Sequence, residues 1–423
     1  MSEENLRDLL ERASDVESRD LVGSAEREAR RRTSRSRLGA VGAVAAATAL
    51  VVGGSVLAGH DSEPRREEPA GETSSAPPSP SSSESGAVNT DADKIAQPLW
   101  DPFTVVDAPR TVTTLPQDLV PPQSPPSVLD EPMEDVVVAW PQDGHDVRLL
   151  ASDGTWRTLP DSAPEVTQPV PGEHGPWTRL RYPVPSPNGR LVAVSQHDGV
   201  RVVDVTTGDQ VLHPWPKRLA SPYDTFHHVR WLGEDLLVLH VLGTYVMAPD
   251  GSFEPWAVDL DLTGALSTTP DGTAYVHDFE RRTLTTFVDG TRTNRVDFPW
   301  WGERLAAGHG LVAFVGGTSS GWPRNGPMVV DPTTGEVLAY APIKDPNAVY
   351  SDNGYLSPLG FLDQDTVLLE VGPMNFRTMN EGDERWHLVA WDFESGDFHL
   401  LSSGDTAMRD IAVVTDLVPL GQP

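Results

Sequence analysis

Residues 186–212 read SPNGRLVAVSQHDGVRVVDVTTGDQVL. A polar turn at Asn188-Gly189 leads into the apolar run Leu191 to Val194. A second turn at Asp198-Gly199 leads into Val200 to Val203, and Asp204 then closes toward Thr207 and Gly208. Short Val/Leu runs bounded by Gly, Asn and Asp specify strands in a hairpin. The next question is whether this hairpin occurs once or repeats.

It repeats. TPDGTAYVHD at Thr269 matches SPNGRLVAVS at Ser186 roughly 83 residues later, two units of about 42, and LGEDLLVLHV from Leu232 and LDQDTVLLEV from Leu362 are looser copies. The turn VVDVTTG (Asp204, Gly208) returns as VVDPTTG (Asp331, Gly335) about three units on, and as AWDFESG (Asp392, Gly396) after one unit plus an insertion. In each copy the Asp can accept backbone N–H bonds across the turn while the Gly takes a positive φ.

These residues resemble the repeat of WD40-like and TolB-type β-propellers, and Trp391-Asp392 supplies the family's dipeptide. The resemblance implies an all-β fold of four-stranded blades over roughly residues 135–405. Seven stretches could begin units: DVVVAW at Asp135, LVAVS at Leu191, LLVLHV at Leu236, TAYVHD at Thr273, LVAFVG at Leu311, TVLLEV at Thr366 and IAVVTDL at Ile411. The expected count is seven blades, with six as the alternative. FTVVDAPRTVTTLP, from Phe103, resembles VRLLASDGTWRTLP, from Val147, and is expected to supply N-terminal strands that complete the last blade. Closure removes sheet edges that otherwise invite aggregation.

The N-terminal quarter reads differently. Residues 38–59 carry no charge and are long enough for a membrane-spanning helix. Arg30, Arg31, Arg32, Arg35 and Arg37 precede them and Asp61, Glu63, Glu67 and Glu68 follow, so the positive-inside rule places residues 1–37 in the cytoplasm and the rest outside. A cleaved signal peptide ending near VLA at residues 56–58 is the competing reading. Residues 60–98, rich in Pro, Ser and Glu, read as a disordered linker, and residues 99–423 as the extracytoplasmic propeller. A second Pro-rich piece, LPQDLVPPQSPPSVLDEP, is expected to run extended along the domain edge. The layout resembles actinobacterial single-pass membrane proteins, which implies a location and no activity. Leu6, Leu9, Leu10, Ala13 and Val16 lie at helical spacing, so residues 5–22 form a candidate docking helix for a cytoplasmic partner.

Composition excludes several chemistries. A net charge of −30 argues against nucleic acid, whose phosphates need Lys and Arg, and favours a cationic partner if the partner is charged. With no cysteine there is no disulfide, thiolate metal site or lipidated cysteine. GTSSG at residues 317–321 matches a nucleophile elbow, but WPRNGP follows where a helix must start, so Ser319 reads as a loop residue. Asp259, Asp261 and Thr263 resemble the opening of a calcium loop, yet Pro270 stands where a bidentate Glu is required. The 12 histidines are dispersed and His227-His228 point to opposite faces of a strand. The sequence therefore predicts no catalytic residue, no cofactor and no metal.

Trp156, Trp215, Trp256 and Trp300 recur near the repeat period and are expected to fill the wedges between blades. Trp301 and Trp322, with Arg324, Asn375 and Arg377 in the irregular insertions GGTSSGWPRNGP and GPMNFRTMNEGDERW, are the candidate binding residues. The function expected is a non-catalytic binding or scaffold module for a protein, peptide or glycan. Two alternatives stand beside it: an anti-sigma-like signalling protein acting through the N-terminal helix, and a hydrolase using paired channel carboxylates.

Overall fold

The structure, a computed structural model, describes residues 97–142, 145–163, 183–196, 198–219, 228–240, 243–256, 265–278, 281–300, 304–316, 326–344, 356–372, 385–404 and 411–421. The chain divides into two units, Met1–Ser81 and Ser82–Pro423, and the described residues belong to the second. Among them, no helix is long and apolar enough to cross a membrane. Residues 5–22, 38–59 and 60–96 lie outside them.

Six sheets form a six-bladed β-propeller. A two-residue strand β1 (Asp118–Leu119) comes first. Blade 1 contains β2 (Val138–Gln142), β3 (His145–Leu150) and β4 (Trp156–Leu159). Blade 2 is β5 (Val184–Pro185), β6 (Leu191–Ser195), β7 (Gly199–Asp204) and β8 (Gln210–Pro214), so the stretch that opened the sequence reading is one blade. Blade 3 is β9 (His228–Leu232), β10 (Asp235–His240), β11 (Gly243–Met247) and β12 (Phe253–Pro255), and blade 4 is β13 (Ala265–Thr268), β14 (Thr273–Asp278), β15 (Thr283–Val288) and β16 (Thr291–Asp297). Blade 5 is β17 (Leu305–Gly308), β18 (Leu311–Gly316), β19 (Gly326–Val330) and β20 (Val337–Tyr340), and blade 6 is β21 (Leu356–Phe361), β22 (Thr366–Val371), β23 (Trp386–Asp392) and β24 (Phe398–Gly404). The last strand, β25 (Ala412–Val413), pairs antiparallel with β2 and becomes the inner strand of blade 1. Neighbouring inner strands then touch all the way round, from β25 through β5, β9, β13, β17 and β21 back to β25.

This corrects the blade count. DVVVAW and IAVVTDL look like the starts of two units, but Val138 pairs with Val413 and Ala139 with Ala412, so they are adjacent strands of one sheet. The N-terminal piece is also corrected: residues Pro102–Asp107 form a 3-10 helix, and β1 adds parallel to the outside of β24 as a fifth strand of blade 6. The C-terminal strand closes the ring, because only an inner-edge position was left open by β2.

The N-terminal segment makes a belt over the outer edges of three consecutive blades. Gln97 N donates to Tyr340 O and Trp100 bridges Ile343 on blade 5. Arg110 bridges Leu400 and β1 pairs with Ser403–Gly404 on blade 6, and Ser127 bridges Thr158 on blade 1. All these pairings are parallel. The Pro-rich piece therefore runs extended along the domain edge, as its composition suggests. Trp100 stacks on Phe398 at 4.3 Å between centroids, and Gln97 Oε1 accepts from Trp391 Nε1.

The blades bury their faces against each other. Val192, Val194, Val203 and Val205 of blade 2 pack with Ala139, Val147, Leu149 and Leu159 of blade 1. Trp215, just past β8, lies with Val229 and Trp231 of blade 3; Trp256, past β12, with Ala274 and Phe287 of blade 4; Trp300, past β16, with Val312 and Phe314 of blade 5. Each of these tryptophans leaves an outer strand and fills the wedge to the next blade, burying a large apolar area. Trp156 is only half-buried: it starts its strand instead of following it and lies beside Trp140 of its own blade, 6.3 Å between ring centroids, against a cluster shared by blades 1, 5 and 6.

The recurrent turns are built alike. Asp204 Oδ1 accepts from Thr206 N, Asp331 Oδ1 from Thr333 N, and Asp392 Oδ1 from Glu394 N and Ser395 N. The fifth residue, Gly208, Gly335 or Gly396, donates its N–H back to the Asp carbonyl at 2.8 Å with φ between 76° and 85°. Gly208 and Gly154 share a left-handed backbone (φ 77° and 85°), but a Cβ on Gly208 would lie 2.7 Å from Leu129 O whereas one on Gly154 meets nothing within 4 Å. Gly154→Ala is therefore expected to cost about 1 kcal/mol and Gly208→Ala at least about twice that. Urea unfolding midpoints of the two variants check the difference, and equal midpoints would refute it.

Candidate functional site

An antiparallel four-stranded blade has two unlike ends. At one end lie the turns from first to second and from third to fourth strand; at the other lie the connections from second to third strand and onward to the next blade. The first end is short and chemically closed. Ser186 Oγ accepts from Leu191 N, Asn188 Oδ1 from Arg190 N, Asp250 Oδ1 from Ser252 N, Asp271 Oδ1 from Thr273 N and Asp363 Oδ1 from Asp365 N. These bonds hold carboxyls below the usual range: Asp271 chiefly through the Thr269 hydroxyl, Asp153 through Thr155, and Asp250 through Ser252. At Asp204 burial pushes the other way and is outweighed by Arg190, 2.9 Å away, and by Thr206.

The second end gathers the buried ionisable groups. Arg201, His277, Glu370 and His387 are the charged or titratable side chains among the buried polar residues described. Each stands within three residues of the second end of its strand: Arg201 on β7, His277 on β14, Glu370 on β22 and His387 on β23. The polar residues buried at the first end are the turn hydroxyls Ser186, Thr269, Thr273 and Thr366.

Between blades 5 and 6, Arg304, which precedes β17, places Nη1 4.0 Å from Glu370 Oε2 and 3.4 Å from Ser357 Oγ. Ser357 and Glu370 are cross-strand partners on β21 and β22, so their side chains share the face toward blade 5. Glu370 is fully buried while Arg304 is 38 % exposed, so the guanidinium joins an interior carboxylate to the surface. Between blades 1 and 2, Arg201 Nη1 donates to Pro160 O. Burial lowers the Arg201 pKa, and Asp161 and Asp146 oppose that shift. On blade 6, Nδ1 of His387 lies 2.9 Å from Ser403 Oγ, and Arg385 donates to Asp118 Oδ1 at 2.8 Å, linking the belt to this end. His277 packs edge-on against Phe298 at 4.7 Å.

All five sequence-predicted binding residues, Trp301, Trp322, Arg324, Asn375 and Arg377, lie outside the described residues, as do Ser319, Asp259, Asp261 and Thr263. The strand ends that flank the five are described: β16 and β17 for Trp301, β18 and β19 for Trp322 and Arg324, β22 and β23 for Asn375 and Arg377. Every one of those junctions is at the second end. Arg201, Arg304, Glu370 and His387 were missed by the sequence reading. A signal was available for three of them, since Glu370 in TVLLEV, His387 in WHLVAW and Arg201 in GVRVV are the ionisable residues of otherwise apolar runs, whereas Arg304 in GERL carries none. Among the described residues no three His, Cys, Asp or Glu side chains are grouped to hold a metal ion.

No family model matches the chain, and no curated protein matches it. Solved structures similar to it include a nidogen/laminin complex (13% identity, 66% of this chain and 99% of that chain, TM-score 0.37) and YCF48 bound to D1 peptide (11%, 64% and 83%, TM-score 0.38). A gluconolactonase from Xanthomonas campestris is also similar (19%, 60% and 93%, TM-score 0.33). Likeness at these scores carries nothing about site or activity.

Burial, with help from Arg385 and Arg110, lowers the His387 pKa to about 4, and burial with Arg230 does the same for His228. A histidine held neutral in the fold and titrating near 6.5 when unfolded contributes stability that is present above pH 6.5 and lost as pH falls toward 4. Unfolding free energy is thus expected to decline between pH 6.5 and 4, and the His228→Asn/His387→Gln double variant to flatten that slope. A slope unchanged in the double variant would refute the assignment. Arg304→Ala is expected to cost about 1–3 kcal/mol by removing a cation from beside the buried Glu370 carboxylate, with part of the loss recovered in Arg304→Ala/Glu370→Gln. A double-mutant cycle from urea unfolding measures that coupling, and strictly additive losses would remove it.

Proposed function

We propose that the chain is a membrane-anchored, extracytoplasmic binding module that recognises a protein, peptide or glycan through the second end of its propeller. The observation that carries this reading is the segregation of the two ends. One end is made of tight turns whose polar groups are satisfied locally. The other collects, among the described residues, the buried side chains of Arg201, His277, Glu370 and His387, together with the longer connections, and loops on a rigid scaffold are where recognition surfaces are built. Arg304, half-exposed and backed by Glu370, suits a polar contact that is oriented before a ligand arrives.

The anchor rests on the uncharged residues 38–59 and the arginines before them. The hydrolase alternative requires two close buried carboxylates. Glu370 is the buried carboxylate among the described residues, and its described charged neighbour is Arg304.

In-cell crosslinking of the full chain, followed by mass spectrometry, tests the reading. Combined Trp301→Ala, Trp322→Ala and Arg377→Ala substitutions are expected to reduce partner capture at least about tenfold. Thr206→Ala and Thr333→Ala at the first end should leave it unchanged, and deletion of residues 2–29 should not abolish it. Capture that disappears with residues 2–29 would move the function to the N-terminal helix and defeat this proposal.

A further inference from the structure

The blades are of two kinds, distinguished by what fills the wedge beyond the outer strand. Blades 2, 3 and 4 carry a tryptophan of their own there, Trp215, Trp256 and Trp300. Blades 5, 6 and 1 do not: residues 341–344, 405–410 and 160–163, which follow β20, β24 and β4, contain no tryptophan. These three are the blades that the belt covers, and the belt supplies the missing groups. Trp100 lies beside Ile343, past the end of β20, and stacks on Phe398, the first residue of β24. Trp215 likewise lies past β8 and packs on Phe253, the first residue of β12. Leu115 and Leu119 of the belt are buried in the cluster shared by blades 1, 5 and 6, and Val128 and Met133 in that of blades 1 and 2.

The turns from third to fourth strand show the same division. A Cβ on Gly251 would overlap His213 of the preceding blade, one on Gly290 would lie 2.9 Å from Trp256 Nε1, and one on Gly335 3.0 Å from Asp297 O. Blades 2 to 5 therefore meet directly at their outer margins. A Cβ on Gly396 of blade 6 would have Gln97 atoms as its three nearest neighbours, one on Gly208 of blade 2 would have Leu129 atoms, and one on Gly154 of blade 1 would have none within 4 Å. The Gln97 amide is bonded on both sides, Nε2 donating to Phe393 O at 2.8 Å and Oε1 accepting from Trp391 Nε1 at 3.0 Å. Three of the four buried ionisable side chains keep to this half of the ring. Glu370 meets Arg304 between blades 5 and 6, Arg201 meets Pro160 between blades 1 and 2, and His387 contacts Ser403, whose N–H is donated to Gln117 of the belt.

We infer that the belt is a detachable wedge, whose release from the margin between blades 5 and 6 opens that seam and loosens the Arg304–Glu370 contact at the second end, while blades 2, 3 and 4 stay packed. A tryptophan that belongs to a blade cannot leave its wedge unless the blade moves. Gln97 and Trp100 instead head a separate strand that meets the ring at its outer edge, so it can peel from its first residues. A switch of this kind rests on contacts that differ between two states. Those lost on release are the Trp100 stack, the Gln97 amide bonds, and the backbone bonds from Trp100 N to Pro342 O and from Lys344 N to Trp100 O. The inference is independent of what the second end recognises.

Hydrogen exchange measured by mass spectrometry on the full-length chain tests it. Trp100→Ala is expected to speed amide exchange in β20 to β22 at least about tenfold while β6 to β12 keep their protection. Because coupling is reciprocal, Arg304→Ala should speed exchange of the Trp100 amide. A free peptide of residues 97–110 added to the Trp100→Ala protein should restore slow exchange, and the same peptide with alanine in place of its tryptophan should not. Gln97→Ala, which removes the bridging amide and leaves the stacked ring, should give the same pattern at smaller amplitude. Unchanged exchange in both belt variants overturns the inference. Faster exchange spread evenly over all six blades in Gln97→Ala also overturns it, since that is a general loss of stability. Failure of the peptide to restore protection would make the belt a fixed part of the fold and equally overturn it.

Discussion

The pairing of β25 with β2 is the interaction on which the ring depends. It is only two residues long, yet it joins segments separated by nearly the whole propeller, and there is no disulfide to share the task. Its environment makes a short pairing sufficient. Val414 N donates to Val137 O beside it, Thr114 Oγ1 donates to Leu417 O, and Gly421 N donates to Val112 O, so the C-terminal segment is held by the belt as well as by blade 1. Outside the same junction the belt passes from β24 to β4. Closing a long loop costs entropy that grows only slowly with length, so several modest contacts at one place offset it.

The charge of the protein takes a different meaning in this frame. A net of −30 suggested a cationic partner, but many aspartates are spent within the turns at the first end, where they accept backbone N–H bonds. At the second end the buried ionisable side chains include Arg201, and Arg304 stands beside the one buried carboxylate described. Net charge is therefore a poor guide to partners, because many of the described aspartates serve the geometry of their own turns.

How legible each feature was follows from the range of the interaction that produces it. The Asp-x-x-x-Gly turns, the strands they bound and the wedge positions of Trp215, Trp256 and Trp300 were readable because each rests on contacts within one repeat or between adjacent repeats. The extended Pro-rich edge was readable from local backbone preference. The blade number was not, since DVVVAW and IAVVTDL have the same local pattern as true unit starts and only their mutual pairing merges them. FTVVD read as a strand for the same reason, whereas its place at the blade 5 to 6 edge makes it a 3-10 helix.

By itself, then, the sequence determined the repeating hairpin chemistry, the all-β class and the segregation of an uncharged, Arg-flanked stretch from the body, because these are properties of neighbouring residues. Tertiary structure alone decided that there are six blades, that the C-terminus closes the ring from inside while the N-terminal segment straps it from outside, and that Arg304 of one blade meets Glu370 of the next. Each of those outcomes is a contact between residues far apart in the chain, set by the geometry of closure and by the cost of leaving a buried charge or a strand edge without company.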